Sequence, residues 1–411
     1  MRLNGLQAAL LAVTLGISST GFAQKDEALL SMAESRKAAF VADLEKLVNI
    51  DTGTGDTAGL TQVEAILTAR LKALGAEVQA VPSEAPAVGN ILVGTLKGSG
   101  DKNAMLVVHY DTVFGPGEVA KRPFQVVGNK AYGPGVADAK PGLLLILNAV
   151  EMLKERGFKQ YKTLTICFNA DEEKSSLGSR ALIKKLAADQ DVVLSFEPPE
   201  QEQVIIATNG IAYVHLDVKG ISSHAGSAPE KGRNAAMEMA YQLLQLKDLG
   251  DPAKGTTVNW TVVQAGDRVN VIPAAASAKA DMRLSVLSEL ERVQNDANRI
   301  IQKELIPETQ VTVRVEDRRP PFSQNPNTDA LAKKAQAIYQ DIGKTLTPVA
   351  MRFGTDAGYA YNPANPKQMV LEGLGIVGDK LHSVDEWGDL DSVVPRLYLT
   401  VMLLESTLSG K

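Results

Sequence analysis

Cysteine is almost absent: Cys167 is the only one among 411 residues, so no internal disulfide can form. It lies inside an apolar run at residues 163–169 and reads as a small buried hydrophobe rather than a nucleophile. Histidine is nearly as scarce, with four in the chain, so each one invites a reason. An excess of positive charge is missing too. The net charge of −5 argues against a nucleic-acid partner. Beyond the N-terminus no apolar run approaches the length needed to cross a bilayer. No Gly-x-Gly-x-x-Gly opens a helix after a strand, which disfavours a dehydrogenase.

What is present begins with a charged start, an apolar stretch from Ala8 to Ile17 and a Gly21-Phe22-Ala23 end. That order reads as a secretory signal peptide over residues 1–23, with the mature chain starting near Gln24. A periplasmic or secreted protein without a membrane anchor is expected, and its length suits about two domains.

Helical periodicity at residues 27–48 and 60–74 is followed by short strands at 76–81, 89–96 and 105–109. A helix at 143–155, strands at 163–169 and 191–196, and a helix at 178–188 continue the alternation. This predicts an α/β fold of the hydrolase type, with a mostly parallel mixed sheet covered on both faces. Between 211 and 320 the pattern becomes strand (211–219), helix (234–248), strand (256–264), strand (275–285), helix (287–305) and strand (310–316). That βαββαβ order is a ferredoxin-like unit. Helices at 327–341 and 391–408 and a strand near 368–372 resume the first pattern. The expected organisation is a large domain split into residues 24–210 and 321–411, with a smaller domain inserted at 211–320.

Five ionisable residues stand out: His109, Asp138, Glu173, Glu197 and His382. His109, Glu173 and Glu197 follow apolar strand runs, and acids or histidines at strand ends of an α/β sheet face a common crevice. Two imidazoles and three carboxylates suffice to hold two zinc ions with room for water. Asp111, two residues beyond His109, shares its side of an extended segment and is placed to orient the imidazole. His215 alternates with Val214 and Leu216 and reads as structural.

The stretches LVNIDTGTGD, HYDTV, AYGPGVADAK, FNADEEKSSLGS, VLSFEP, NGIAYV, SSHAGSAPEKGRNA, NVIPAAA, RRPPF, FGTDA and LHSVDE occur in this order along essentially the whole mature chain. Together they resemble the M20 family of zinc aminoacylases and carboxypeptidases, most closely its bacterial glutamate carboxypeptidases. The resemblance implies that the split domain is catalytic and the inserted one a dimerisation or lid domain, and it implies two Zn²⁺ per subunit, with Asp138 bridging. His109 and Glu197 would complete one site, Glu173 and His382 the other. It implies Glu172 as general base and acid, and an unusual Asp138–Ala139 peptide. His224 would stabilise the developing oxyanion, commonly in the partner subunit of a homodimer. Arg319 would bind the substrate carboxylate, with Arg283 and Asn270 as secondary candidates. The implied substrate is an N-acyl or peptidyl amino acid, glutamate first, with folates as the specific expectation. A broader N-acyl-amino-acid deacylase or dipeptidase is the rival within the family. A non-catalytic periplasmic binding protein is the rival outside it. Arg352 and Phe353 depart from the glycines of the resembled enzymes, Pro141 from another glycine, and residues 205–210 from a more Ser/Gly-rich stretch.

Overall fold

A computed structural model describes residues 25–409; the expected signal segment lies outside the described residues. A six-stranded sheet runs in the order Glu77–Pro82, Asn90–Lys97, Thr163–Asn169, Asn103–His109, Val192–Ser195, Met369–Leu371. The first two pairings are antiparallel. The remaining three are parallel. The central strands are buried on both faces, as near-continuous apolar runs require. Strand alternation divides their side chains between two layers. Leu106, Val108, Ile166 and Phe168 pack under the helices Glu27–Val48, Lys140–Glu155 and Val393–Leu408. Met105, Val107 and Cys167 face the opposite layer with Ile183, Phe322 and Tyr359. Cys167 is therefore a core residue, as its sequence context suggests.

Residues 210–319 build a separate antiparallel sheet in the order Thr257–Ala265, Ala275–Leu284, Gly210–Lys219, Gln310–Arg319. Val214, Leu216, Val218, Ala278, Ala280 and Met282 form its own core with Met239 and Val293 of the helices Ala235–Gln245 and Ser288–Ile300. His215 lies on the other face, 2.8 Å from Glu316 Oε2.

Two helices are shorter than their periodicity predicts. The segment expected to be helical to 305 leaves the helix after Ile300, and that expected to reach 248 ends at Gln245. The buried Glu238 carboxylate accepts the amides of Leu305 and Ile306 at 2.9 and 2.7 Å, and Gln242 donates to Lys303 O at 2.9 Å. These long-range bonds satisfy backbone groups that another helical turn would have used.

Small strands invisible to periodicity complete the fold. Gly378–Asp379, Trp387–Asp389, Lys130–Tyr132 and Gln125–Val127 make a four-stranded sheet, and Thr347–Met351 pairs with Gln203–Thr208 in parallel. Among the described residues no helix is long and apolar enough to cross a membrane.

Arg396 fastens the C-terminal helix. It is fully buried and donates to Gln203 O at 3.0 Å, Gly373 O at 2.9 Å and Glu202 Oε2 at 3.2 Å. Removing it leaves the buried Gly373 carbonyl without this partner, at about 1–3 kcal/mol, and takes a bond from the part-buried Gln203 and Glu202 acceptors. Arg396→Ala is expected to lower unfolding stability by about 3 kcal/mol. A urea midpoint equal to wild type would show that other groups hold this helix.

Candidate metal centre

The sheet delivers its acids and imidazoles at one edge. His109 is the last residue of the strand Asn103–His109. Glu172 and Glu173 sit in the short turn Glu172–Lys174 after the strand Thr163–Asn169, and Glu197 lies two residues past Val192–Ser195. These are the C-terminal ends of adjacent strands, where an open α/β sheet forms its crevice. Asp138 enters from the glycine-rich loop ahead of the helix Lys140–Glu155. His382 enters from the loop between Gly378–Asp379 and Trp387–Asp389, with φ of 62°.

The two oxygens of Asp138 face different imidazoles. Oδ1 lies 3.1 Å from His109 Nε2 and Oδ2 lies 3.1 Å from His382 Nε2. His109 Nε2 is also 3.5 Å from Glu197 Oε2, and His382 Nε2 is 3.2 Å from Glu173 Oε2. The result is two sets of imidazole plus carboxylate that share Asp138. Two donors about 2.1 Å from one tetrahedral zinc ion lie about 3.4 Å apart. The observed separations match that spacing, so the donor set fits two such ions by size as well as by chemistry. Donor atoms of His109, Asp138 and Glu173 fall within 4.8 Å of one another.

Protonation follows from the crowding. Burial, then the neighbouring Asp138, pushes Glu173 up to about 8. Burial also raises Glu197 well above the usual carboxylate range. Hydrogen bonds to Asp138 and Glu173 push His382 up to about 11. Burial opposes charge on His109, but Glu197 and the hydrogen bonds to Asp111 and Asp138 raise it well above normal. Burial alone would raise Asp138; its bonds to both imidazoles hold it low instead. The cluster takes up protons because it has too many desolvated carboxylates for its cations. Divalent ions answer the same deficit.

Three buried carboxylates brace the donors. Asp111 approaches His109 Nδ1 through its backbone oxygen at 2.9 Å and its Oδ1 at 3.3 Å, leaving Nε2 to face the cluster. It also accepts Thr54 Oγ1 at 2.6 Å and the amides of Glu172 and Glu173 at 3.1 and 3.3 Å. One residue thus fixes both the imidazole and the acidic turn. Glu386 accepts the amides of Gly135, Ala137 and Asp138 at 3.1, 2.9 and 3.0 Å. Glu372 accepts the amide of Glu197 at 3.1 Å and Thr355 Oγ1 at 2.7 Å. Sequence reasoning missed Glu386 and Glu372. The only available signal was an acid beside an apolar segment, which names no partner. The Asp138–Ala139 peptide is cis. Gly135, at φ 72°, has no room for a Cβ, which would lie 2.7 Å from Thr112 Cγ2.

The five expected donors and Glu172 come together, and a cavity of about 260 Å³ opens over them. Asp138, Glu172, Glu197 and His382 line it with Pro198, Phe353, Leu381 and Thr355. Phe353 faces this cavity, whereas Arg352 is exposed and not part of its wall. Arg319 is buried against Glu172. His224, Asn270 and Arg283 stay on the inserted sheet. His224 Nδ1 accepts the amides of Gly226 and Ser227, the Asn270 carbonyl accepts the amide of Ala225, and Arg283 pairs with Asp281 at 2.9 Å. Among the described residues no hydrogen bond or ion pair joins these three to the cluster.

Residues 105–406 match the peptidase family M20/M25/M40. The chain belongs to this family. It is 41% identical to carboxypeptidase G2 of Pseudomonas sp. (strain RS-16), over 98% of each chain. Among solved structures, aminopeptidase PepT from Bacillus cereus superposes with a TM-score of 0.74 at 21% identity, over 91% of this chain and 99% of that one. The M20 metallo-carboxypeptidase Sso-CP2 from Sulfolobus solfataricus gives 0.70 at 15% identity, over 89% and 98%. The chain is thus a hydrolase of the metallocarboxypeptidase type, with a candidate metal site at its sheet edge.

Glu386→Ala is expected to leave the circular dichroism spectrum unchanged while weakening zinc binding about 10- to 100-fold, because Asp138 loses the anchor of its loop. Competition against a chromophoric chelator reads this directly. Unaltered affinity would mean that the loop holds its shape without Glu386.

Proposed function

We propose that the protein is an exported, homodimeric di-zinc carboxypeptidase that releases a C-terminal amino acid, glutamate first, from N-acyl or peptidyl conjugates such as folates. The observation that carries the reading is the sharing of Asp138 between two imidazole–carboxylate sets. His109 and Glu197 would hold one ion with Asp138, Glu173 and His382 the other. Bound zinc supplies Lewis acidity, which lowers the pKa of water and polarises a carbonyl.

Glu172 borders the cavity without belonging to either set. It would take the proton from the attacking water and deliver it to the leaving nitrogen. Asp111, through the Glu172 amide, sets where that carboxylate begins. His224 would serve the partner's site, which suits its exposed position on the insert. A dimer is supported by the edge strand Thr257–Ala265, which exposes Val262 and Val263. Arg283 and Asn270 remain the candidates on the insert for meeting a substrate carboxylate. Glutamate and folate preference rest on the likeness to carboxypeptidase G2. Export rests on the composition of residues 1–23.

One observation favours the broader N-acyl-amino-acid deacylase as a second reading. Phe353, Leu381 and Pro198 wall a cavity of only about 260 Å³, below the usual range for ligand pockets. A compact apolar acyl group suits that space better than a pteroyl group.

Zinc-loaded protein is expected to release glutamate from folate or from a smaller acyl-glutamate, and a chelator to abolish the release. Glu172→Ala should bind zinc normally yet lose turnover by about 100-fold or more. Wild-type rates in that variant would reject the base assignment. Phe353→Gly should improve kcat/KM for folate relative to benzoyl-glutamate by about tenfold. An unchanged ratio would remove Phe353 as a wall of the acyl site.

A further inference from the structure

His382 is the donor that the core does not hold. Its side chain is 55% exposed, whereas those of the other four are 9% exposed or less. It stands on a hairpin loop, residues 380–386, instead of a strand end. Lys380 and His382 both take left-handed φ, 56° and 62°. A residue with a Cβ keeps that conformation only where its surroundings fix it. Inside the loop, Ser383 Oγ donates to Lys380 O at 2.6 Å and accepts the Asp385 amide at 3.2 Å. These bonds give the loop a shape. They do not set where it sits against the catalytic layer.

Arg122 does that. Its Nη1 donates to Val384 O at 2.9 Å and lies 3.5 Å from Ser383 O, the two carbonyls that follow His382. Among the described residues, no other side chain from outside the loop bonds the backbone of residues 380–385. The guanidinium is itself held on two further sides. Its Cζ stands 4.6 Å over the Phe114 ring, and Nε donates to Glu118 Oε1 at 2.7 Å. Nη2 meets no hydrogen-bond partner among the described residues. The turn that carries Glu118 is fastened in turn by Asp51, which accepts the amides of Gly117 and Val119 at 2.7 and 2.9 Å. A line of fixed points therefore runs from Asp51, just after the helix Glu27–Val48, to the backbone beside His382.

We propose that Arg122 is a positioning residue for the metal centre: by holding the Ser383 and Val384 carbonyls it sets where the His382 imidazole stands, and so strengthens binding of the one ion that His382 and Glu173 would share with Asp138. The inference rests on the reading of two zinc sites. An exposed ligand on a loose loop has to be ordered when the ion arrives, and a loop fixed beforehand avoids that cost. A lone guanidinium near the cluster would repel cations. Glu118 offsets its charge, so loss of Arg122 weakens the ion through the loop and does not tighten it through the field. The other ion, between His109 and Glu197, depends on strand ends and is independent of Arg122.

The test is stepwise zinc binding, read by competition against a chromophoric chelator. The proteins are wild type, Arg122→Ala, Arg122→Lys, His382→Ala and the double variant Arg122→Ala/His382→Ala. Wild type should take up two ions. Arg122→Ala should weaken one of them about tenfold and leave the other unchanged. Arg122→Lys should lie between, because an ammonium has no plane to lay on Phe114 and no fork to span Glu118 and the loop. It also keeps the charge, so it carries the comparison if the alanine variant does not fold. In the double variant the remaining ion should bind as it does in His382→Ala alone, because the arginine acts only through that imidazole. Weakening of both ions alike, or further loss in the double variant, would show a general structural role and overturn the proposal. Wild-type or tighter binding of both ions in Arg122→Ala would overturn it as well. A single ion bound by wild type would remove the two-site reading, and this inference with it.

Discussion

The structure turns on one shared carboxylate. Asp138 offers one oxygen to His109 and the other to His382, so two donor sets exist only because a single side chain belongs to both. Sharing reduces the number of negative charges that must be buried, yet Asp138, Glu173 and Glu197 still exceed what two imidazoles balance. Desolvating a carboxylate is expensive unless it is paired. The raised proton affinities of Glu173 and Glu197 express that cost. A site built this way is stable in the form that carries cations, and its chemistry and its demand for metal have the same origin.

Holding the donors in place needs a further layer of acids used for a different purpose. Asp111, Glu372 and Glu386 bond mainly to backbone amides or hydroxyls and fix loops. The Glu386 carboxyl is pushed up to about 7 by burial and by Asp138, against the lowering effect of the amides it accepts. The small sheet that brings Glu386 and His382 to the loop of Asp138 has strands of two or three residues. It is held by these side-chain bonds as much as by its ladder.

That difference explains what was legible in the sequence. The strand Asn103–His109 announces itself as an apolar run ending in histidine, and the candidate donors at strand ends could be singled out because run and side chain are contiguous. Asp138 and His382 carry no such mark; they stood out only as members of the set, and the family resemblance supplied their roles. The small sheet has too few residues for a period, and Glu386 shows its role only when the 130s and 380s meet in space. The helix expected to reach residue 305 fails for the same reason, since Glu238 draws the chain off its helical path from 67 residues away. Local pattern predicts elements that satisfy themselves, and it misses those completed by a distant side chain.

Arg319 marks the boundary between the two kinds of information. Its motif, RRPPF, suggests an arginine at a hinge, and a planar fork suits any carboxylate. Which carboxylate it meets depends on the order of burial. A side chain fixed by the fold meets the fork first, although Glu172 and Gly354 take only three of its five N–H donors. Glu172 is tethered by its own backbone to the turn that Asp111 and Arg319 also hold, so it meets the guanidinium at high effective concentration. An incoming carboxylate pays the entropy of association that Glu172 does not. In this structure Glu172 is the carboxylate that Arg319 meets, held by the turn it belongs to and by the strand end that carries the arginine.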